Sequence, residues 1–89
     1  MRCVISVLGK DKSGIVAAIS AVLSECNANI DDISQTILGD IFSMTMLVTL
    51  NTESAGFNKV QEELDRIGDE MGIQITLQRE DVFDFMYKI

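Results

Sequence analysis

The chain has 89 residues, of which 47% are hydrophobic, and carries a net charge of −7 with no histidine. This size predicts one small domain of modest stability. Association with a second copy would raise that stability. The acidic charge argues against binding to nucleic-acid phosphates or to an anionic membrane surface, and the lack of histidine argues against hydrolytic catalysis and zinc binding.

The sequence carries no sign of targeting or of metal chemistry. It begins without a signal-peptide pattern, and no apolar run approaches the ~20 residues that span a bilayer, so we expect a cytoplasmic protein. Cys3 and Cys26 are widely spaced and fall on apolar faces, which indicates small core residues rather than metal ligands or redox groups. No metal and no cofactor are predicted.

The first predicted elements are a strand over residues 2–8 and a helix over residues 13–27. The strand is apolar on both faces, which is typical of a central position in a sheet. The helix has one apolar face, made by Ile15, Val16, Ile19, Val22, Leu23 and Cys26.

The corner between this strand and this helix is the main candidate for a binding site. It reads Gly9, Lys10, Asp11, Lys12, Ser13, Gly14, Ile15. Free N–H groups of a first helical turn, together with the helix dipole, attract a small anion or carboxylate. Asp11 and Ser13 also suit helix capping, so a capped corner without a ligand is the alternative interpretation.

The second strand is predicted over residues 30–38, with one apolar and one polar face. Ile30 is out of phase with Ile33, which predicts a bulge near Asp31 and Asp32. These two acids are interpreted as solvated edge charges, with a weak cation site as the alternative. The sequence 39–40, with glycine first, predicts a two-residue type II′ hairpin turn.

The remaining elements follow at short intervals. A third strand over residues 41–51 has one strongly apolar face, and a polar link with capping residues leads into a second helix that ends near Met71, with Gly72 as its C-cap. A fourth strand covers residues 73–80. In the tail, Asp81 begins a short helix, one face of which carries Val82, Phe85, Met86 and Ile89.

The order βαββαβ predicts an α+β, ferredoxin-like fold for residues 1–89. In it, both helices cover one face of a four-stranded antiparallel sheet, with strands one and three in the centre, residues 1–80 as core and 81–89 as tail. The other face would then expose Val4, Leu8 and Leu47, and the second strand would leave an open edge. A symmetric homodimer would cover these surfaces, and a tail folded back over its own sheet is the alternative.

Three segments, 7–16, 29–36 and 80–89, resemble the ACT domain and, within it, the stand-alone single-domain ACT proteins of bacteria and archaea. The resemblance covers essentially the whole chain. It implies a ferredoxin-like regulatory module that binds an amino acid or a related small molecule at a dimer interface, with no attached catalytic domain.

The resemblance also implies which residues form the site. The loop from Gly9 to Ile15 supplies backbone and polar contacts, and Asn29 and Ile30, from the neighbouring subunit, complete the site. Asp11 stands where the family commonly has an asparagine, so it suits a ligand's ammonium group and repels its carboxylate, which Lys10 and Lys12 could balance.

Two functions from different classes follow. The first is a non-catalytic, dimeric sensor of a small molecule, for which an amino acid is expected. The alternative is a protein interaction module that docks on a metabolic enzyme or regulator through its tail and open sheet face, without a ligand.

Overall fold

The structure is a computed structural model that describes residues 1–10 and 14–87, the last three of these by backbone alone. Its elements are, in chain order, β1 (Arg2–Lys10), α1 (Ile15–Glu25), β2 (Asn29–Leu38), β3 (Ile41–Thr49), α2 (Phe57–Met71), β4 (Gln74–Arg79) and α3 (Glu80–Tyr87). The predicted order βαββαβ with a short tail helix is therefore confirmed.

The four strands form one antiparallel sheet in the order β2-β3-β1-β4. β1 and β3 take the centre, as the two-sided apolarity of the first strand predicts. Their register pairs Arg2 with Thr49 at one end and Lys10 with Ile41 at the other. This register places the corner after β1 at the same end of the sheet as the β2–β3 hairpin.

The hydrophobic core lies between the sheet and the two long helices. The alternating residues of β1 and β3 that face these helices are buried, and the stripes of α1 and α2 pack against them. The central members of this core are Ile5, Ile19, Leu23, Met44, Met46 and Leu64, each at most 1% exposed. Cys3 and Cys26 are buried free thiols within it, as predicted.

The ends of the helices differ from the predicted ones. α1 begins at Ile15 rather than Ser13 and ends at Glu25, and its N-cap is Gly14, which has a φ of 87° and makes no side-chain cap bond. A positive φ is costly for residues with a Cβ, so glycine suits this corner. The predicted capping by Asp11 or Ser13 falls outside the described residues.

The predicted cap residues 51–54 do not cap α2 either. Its N-cap is Gly56, with no side-chain cap bond, while Asn51 accepts backbone hydrogen bonds from Ser54 and Ala55 in a turn that precedes the helix. The C-cap of α2 is Gly72, as predicted.

β2 contains the predicted bulge and turn. The register shifts between Ile30 and Asp32, so that Asp31 is the extra residue and both Ile30 and Ile33 face the helix side. The hairpin closes from Leu38 to Ile41, with a φ of 63° at Gly39, the pattern of the predicted type II′ turn.

The outer face of the sheet, away from α1 and α2, is less open than the sequence indicates. Val4 lies on this face but is only 6% exposed, because α3 packs against β1 and β4 there. Leu47 is half-buried, and Leu8 stays 48% exposed. The tail thus covers one part of its own sheet. Of the predicted apolar face of this helix, Val82 is 43% exposed, and the side chains of Phe85, Met86 and Ile89 lie outside the described part.

Candidate functional site

The corner after β1 is built around two close packings. Ile15 is 2% exposed and anchors the start of α1 in the core, so only its backbone is available to a ligand. Gly9 lies against Ile73: a Cβ built on Gly9 would come within 2.5 Å of Ile73 Cγ2. The chain can therefore approach the start of β4 only because residue 9 has no side chain.

A shallow depression of about 350 Å³ lies beside this corner. The end of β1, the start of β3, the C-cap of α2 and the start of β4 form its walls. The lining residues are Leu8, Gly9, Lys10, Ile41, Gly72 and Gln74. Two predicted site residues, Gly9 and Lys10, thus line this mostly apolar depression. Asp11, Lys12 and Ser13, which are predicted to complete it, fall outside the described residues.

Lys10 is the cationic group of this depression. Its Nζ lies 3.8 Å from a carboxylate oxygen of Asp40 on the hairpin, and both side chains are more than 70% exposed. Such an exposed pair is weak, because solvent screens it and two mobile side chains must be ordered. Lys10 can therefore exchange Asp40 for the carboxylate of a ligand at little cost.

Asn29 and Ile30, the other predicted site residues, lie at the opposite end of the sheet. Asn29 pairs with Thr49, whereas Lys10 pairs with Ile41, eight residues earlier on β3. At about 3.4 Å per residue this separation is roughly 27 Å. One protomer therefore does not bring the two halves of the predicted site together.

The side chain of Asn29 belongs to a hydrogen-bonded cluster that the sequence analysis missed. Asn29 Nδ2 donates to Asp31 Oδ1 at 2.6 Å, and Thr49 Oγ1 donates to Asp31 Oδ2 at 2.6 Å. Arg2 lies between Asp31, at 3.7 Å, and Glu80, at 3.6 Å. The predicted bulge is the signal that could have pointed to Asp31, because a bulge leaves the extra residue unpaired in the ladder and can redirect its side chain.

These contacts stabilise the charged form of Asp31. The hydrogen bond from the Thr49 hydroxyl and then that from the Asn29 amide lower the pKa of the Asp31 carboxyl, with a smaller effect of the Arg2 charge. Asp32 instead accepts a hydrogen bond from the N–H of Ile33. The two neighbouring acids thus have different surroundings, and no group of three potential metal ligands occurs among residues 1–10 and 14–87.

The two thiols do not add chemistry to the site. Burial raises the pKa of both Cys3 and Cys26, so each is held as a neutral thiol. Across the described residues, none of the helices combines the length and the apolarity needed to cross a membrane.

Comparison with known proteins identifies the family. A family model described as the ACT domain matches residues 2–78. The chain belongs to the ACT domain family. A UPF0237 protein of Methanocaldococcus jannaschii is similar to this ACT domain over 88 residues, with 49% identity, which covers 99% of the chain and 98% of the relative.

Solved structures agree with this assignment. The ACT domain protein from Streptococcus pneumoniae is 39% identical, with a TM-score of 0.79 and 94% of each chain covered. The regulatory subunit of aspartate kinase from Thermus thermophilus is 25% identical, with a TM-score of 0.67, and this ACT domain covers half of its length. The family is one of regulatory modules that bind small molecules.

Proposed function

We propose that this ACT domain is a non-catalytic regulatory module that binds an amino acid at a homodimer interface. The observation that carries the proposal is the position of the two groups of residues that the sequence predicts to form the site. The corner with Gly9 and Lys10 and the start of β2 with Asn29 lie at opposite ends of one sheet, and a two-fold axis brings such ends together.

The edge of β2 is the surface that suits this axis. All ten residues of β2 are exposed. Large apolar side chains are among them: Ile30 is 38% exposed, Ile33 39%, Ile37 59% and Leu38 75%. An open strand edge with exposed apolar residues favours pairing with another strand, and a second copy offers the same edge.

Antiparallel pairing of two β2 edges would bring the two halves of the site to the same end of the sheet. A two-fold axis at the middle of β2 places the partner's Asn29 opposite Leu38, whose own neighbour across the hairpin is Ile41. Ile41 in turn pairs with Lys10. The corner of one protomer and the Asn29 of the other then lie at the same end of a continuous eight-stranded sheet.

The charges of the two halves match the ends of an amino acid. Lys10 supplies a positive charge for the ligand's carboxylate. The cluster around Asn29 is acidic and suits the ligand's ammonium group. Binding shifts the protein toward whichever dimer arrangement it favours, by as much as its affinity differs between arrangements.

Thermal unfolding with a panel of amino acids tests this function. At millimolar concentration, at least one amino acid should raise the Tm of the wild type, and Asn29→Ala should reduce that shift. Asn58→Ala removes an exposed amide from α2 and should leave the shift intact. Stabilisation by no member of the panel would count against ligand sensing.

The alternative function, docking on a protein partner without a ligand, is favoured by one observation. Between α3 and the outer sheet face lies a trough of about 370 Å³, bordered by Leu8, Thr45 and Phe83. A charge placed beside it by Val82→Asp should abolish capture of a partner enzyme while any amino-acid shift persists. Capture of a partner enzyme that Val82→Asp leaves unchanged would count against docking at this trough.

A further inference from the structure

Asp31 is not among the site residues that the sequence predicts, yet its side chain holds one that is, Asn29. Asn29 can face a ligand with its carbonyl oxygen or with its NH₂ group, and these two orientations select opposite chemistry. The neighbour that fixes the orientation therefore decides what the site accepts.

The geometry at the bulge leaves one orientation for the Asn29 amide. Asp31 lies 2.6 Å from the amide, and an ionised carboxylate accepts hydrogen bonds but donates none. The amide nitrogen must therefore face Asp31, and Oδ1 of Asn29 points away. Within the described part of the chain this oxygen makes no hydrogen bond, and the residue is exposed.

Asp31 is itself held in place. Its second oxygen accepts the hydroxyl of Thr49, which is paired directly with Asn29 across the two strands. Arg2 approaches from β1 and is shared with Glu80 of α3. The carboxyl thus has contacts with three strands of the sheet, and its side chain is only 23% exposed.

We propose that Asp31 is a positioning residue that fixes the polarity of the Asn29 amide, so that Asn29 presents its carbonyl oxygen to the ammonium group of the ligand. The inference rests on the proposed amino-acid site and adds its direction of binding. The ligand's carboxylate is directed toward Lys10 of one protomer and its ammonium group toward Asn29 and Asp31 of the other. Charge supports this direction, because a cation near Asp31 is attracted and an anion repelled.

Asp31→Asn is the informative variant, and Asp32→Asn is its matched control. An asparagine at position 31 keeps the shape but can donate as well as accept, so the Asn29 amide is no longer held in one orientation. Asp32→Asn removes the same charge one residue away and leaves the bonds of Asn29 in place. Thr49→Val removes the hydroxyl that holds Asp31. Its effects on the Asn29 amide and on ligand preference should be intermediate between those of Asp31→Asn and Asp32→Asn.

The first measurement needs no ligand. In ¹⁵N–¹H spectra of the free protein, Asp31→Asn should move the side-chain NH₂ resonances of Asn29 well away from their wild-type positions, and Asp32→Asn should leave them nearly unchanged. Unchanged Asn29 resonances in Asp31→Asn would overturn the positioning role, whatever the protein binds.

The second measurement compares each amino acid with its α-hydroxy acid, by calorimetric titration of glycine and glycolate, L-alanine and L-lactate, and L-valine and its 2-hydroxy analogue. The wild type and Asp32→Asn should prefer the amino acid by about tenfold or more, since a charge-assisted hydrogen bond is stronger than a neutral one. Asp31→Asn should reduce this preference to about threefold or less. Equal preference in wild type and Asp31→Asn would overturn the inference while leaving amino-acid sensing intact.

Failure of the proposed function gives a different pattern. If the wild type binds neither the amino acids nor the hydroxy acids, the sensing function fails and the direction of binding fails with it. The spectra then still decide whether Asp31 positions Asn29.

Discussion

Gly9 shows how one residue can serve packing beside a proposed binding site. The resemblance assigns it to the ligand loop, and the structure places it against Ile73, so tightly that a methyl group would have to displace the branched carbon of that side chain. Because Ile73 is β-branched and 8% exposed, it has little freedom to move. The absence of a side chain at position 9 is therefore required by the fold as well as suited to a ligand.

Gly9→Ala should destabilise the protein by about 1–3 kcal/mol through overpacking. Urea denaturation followed by circular dichroism measures this change. Gly56→Ala is the matched control, because nothing lies within 4 Å of its Cβ position and its φ of −75° suits alanine. Equal stability of the two variants would contradict the packing role.

For Asn29 and Asp31, the sequence predicts the two positions but not the contact between them. Asn29 is predicted from the resemblance, and the bulge at Asp31 follows from the phase of the isoleucines around it. The bond between the two and its support by Thr49 and Arg2 could not be predicted, because these residues come from three strands that only the register brings together. The role of Asn29 in binding stays a prediction.

At the scale of elements, α2 is stabilised on its exposed side by a chain of alternating charges. Glu63 accepts hydrogen bonds from Lys59 at 3.2 Å and from Arg66 at 2.8 Å, and Arg66 also contacts Glu70 at 3.2 Å. Arg66 first and then Lys59 lower the pKa of Glu63. Its charge therefore stabilises the folded state at neutral pH.

Glu63→Gln should lower the urea midpoint slightly at pH 7. A carboxyl with a lowered pKa contributes stability above its unfolded pKa and loses it as the pH falls through its folded pKa. The difference between wild type and variant should therefore shrink below pH 4.5, the ordinary value for glutamate. Glu62→Gln is the control, since Glu62 makes no ion pair among the described residues. A difference that persists at low pH would point to packing rather than charge.

β2 is the element whose surroundings the sequence predicts least completely. Its alternation predicts which side chains face the helices, and the register confirms this. Alternation does not show whether a helix covers the side chains that face the helix side. The 11-residue α1 makes few contacts with β2, so Ile33 and Ile37 face the helix side yet remain exposed. The opposite holds for Val4, which α3 covers.

Ile37→Lys should disrupt the proposed dimer and leave the fold intact. Ile37 is 59% exposed in the protomer, so the charge costs little there but would be buried between two β2 edges. Sedimentation velocity measures the result. Val82→Lys, on the far side at α3, is the control and should remain dimeric. A dimer that survives Ile37→Lys and dissociates in Val82→Lys would place the interface on the outer sheet face.

At the scale of the whole molecule, the fold was predictable from the sequence, whereas the relative position of the two halves of the proposed site was not. The strand order follows from periodicity and from the handedness of crossovers, and it needs no partner. The proposed site would need a second copy, because Lys10 and Asn29 lie roughly 27 Å apart along one sheet.

A mixing experiment tests the composite site most directly. Lys10→Glu impairs the corner and Asn29→Ala impairs the start of β2, so each variant alone should bind the amino acid more weakly than the wild type. In a dimer that contains one chain of each, one of the two sites combines the intact corner of the Asn29→Ala chain with the intact Asn29 of the Lys10→Glu chain. The other site carries both defects.

The decisive measurement is calorimetric titration of the two variants, refolded together in equal amounts, with the amino acid that stabilises the wild type most. A shared site predicts that the mixture regains wild-type affinity at about one quarter of the wild-type number of sites, because about half of the dimers are mixed. A mixture that binds no better than either variant alone would contradict a site shared between two protomers.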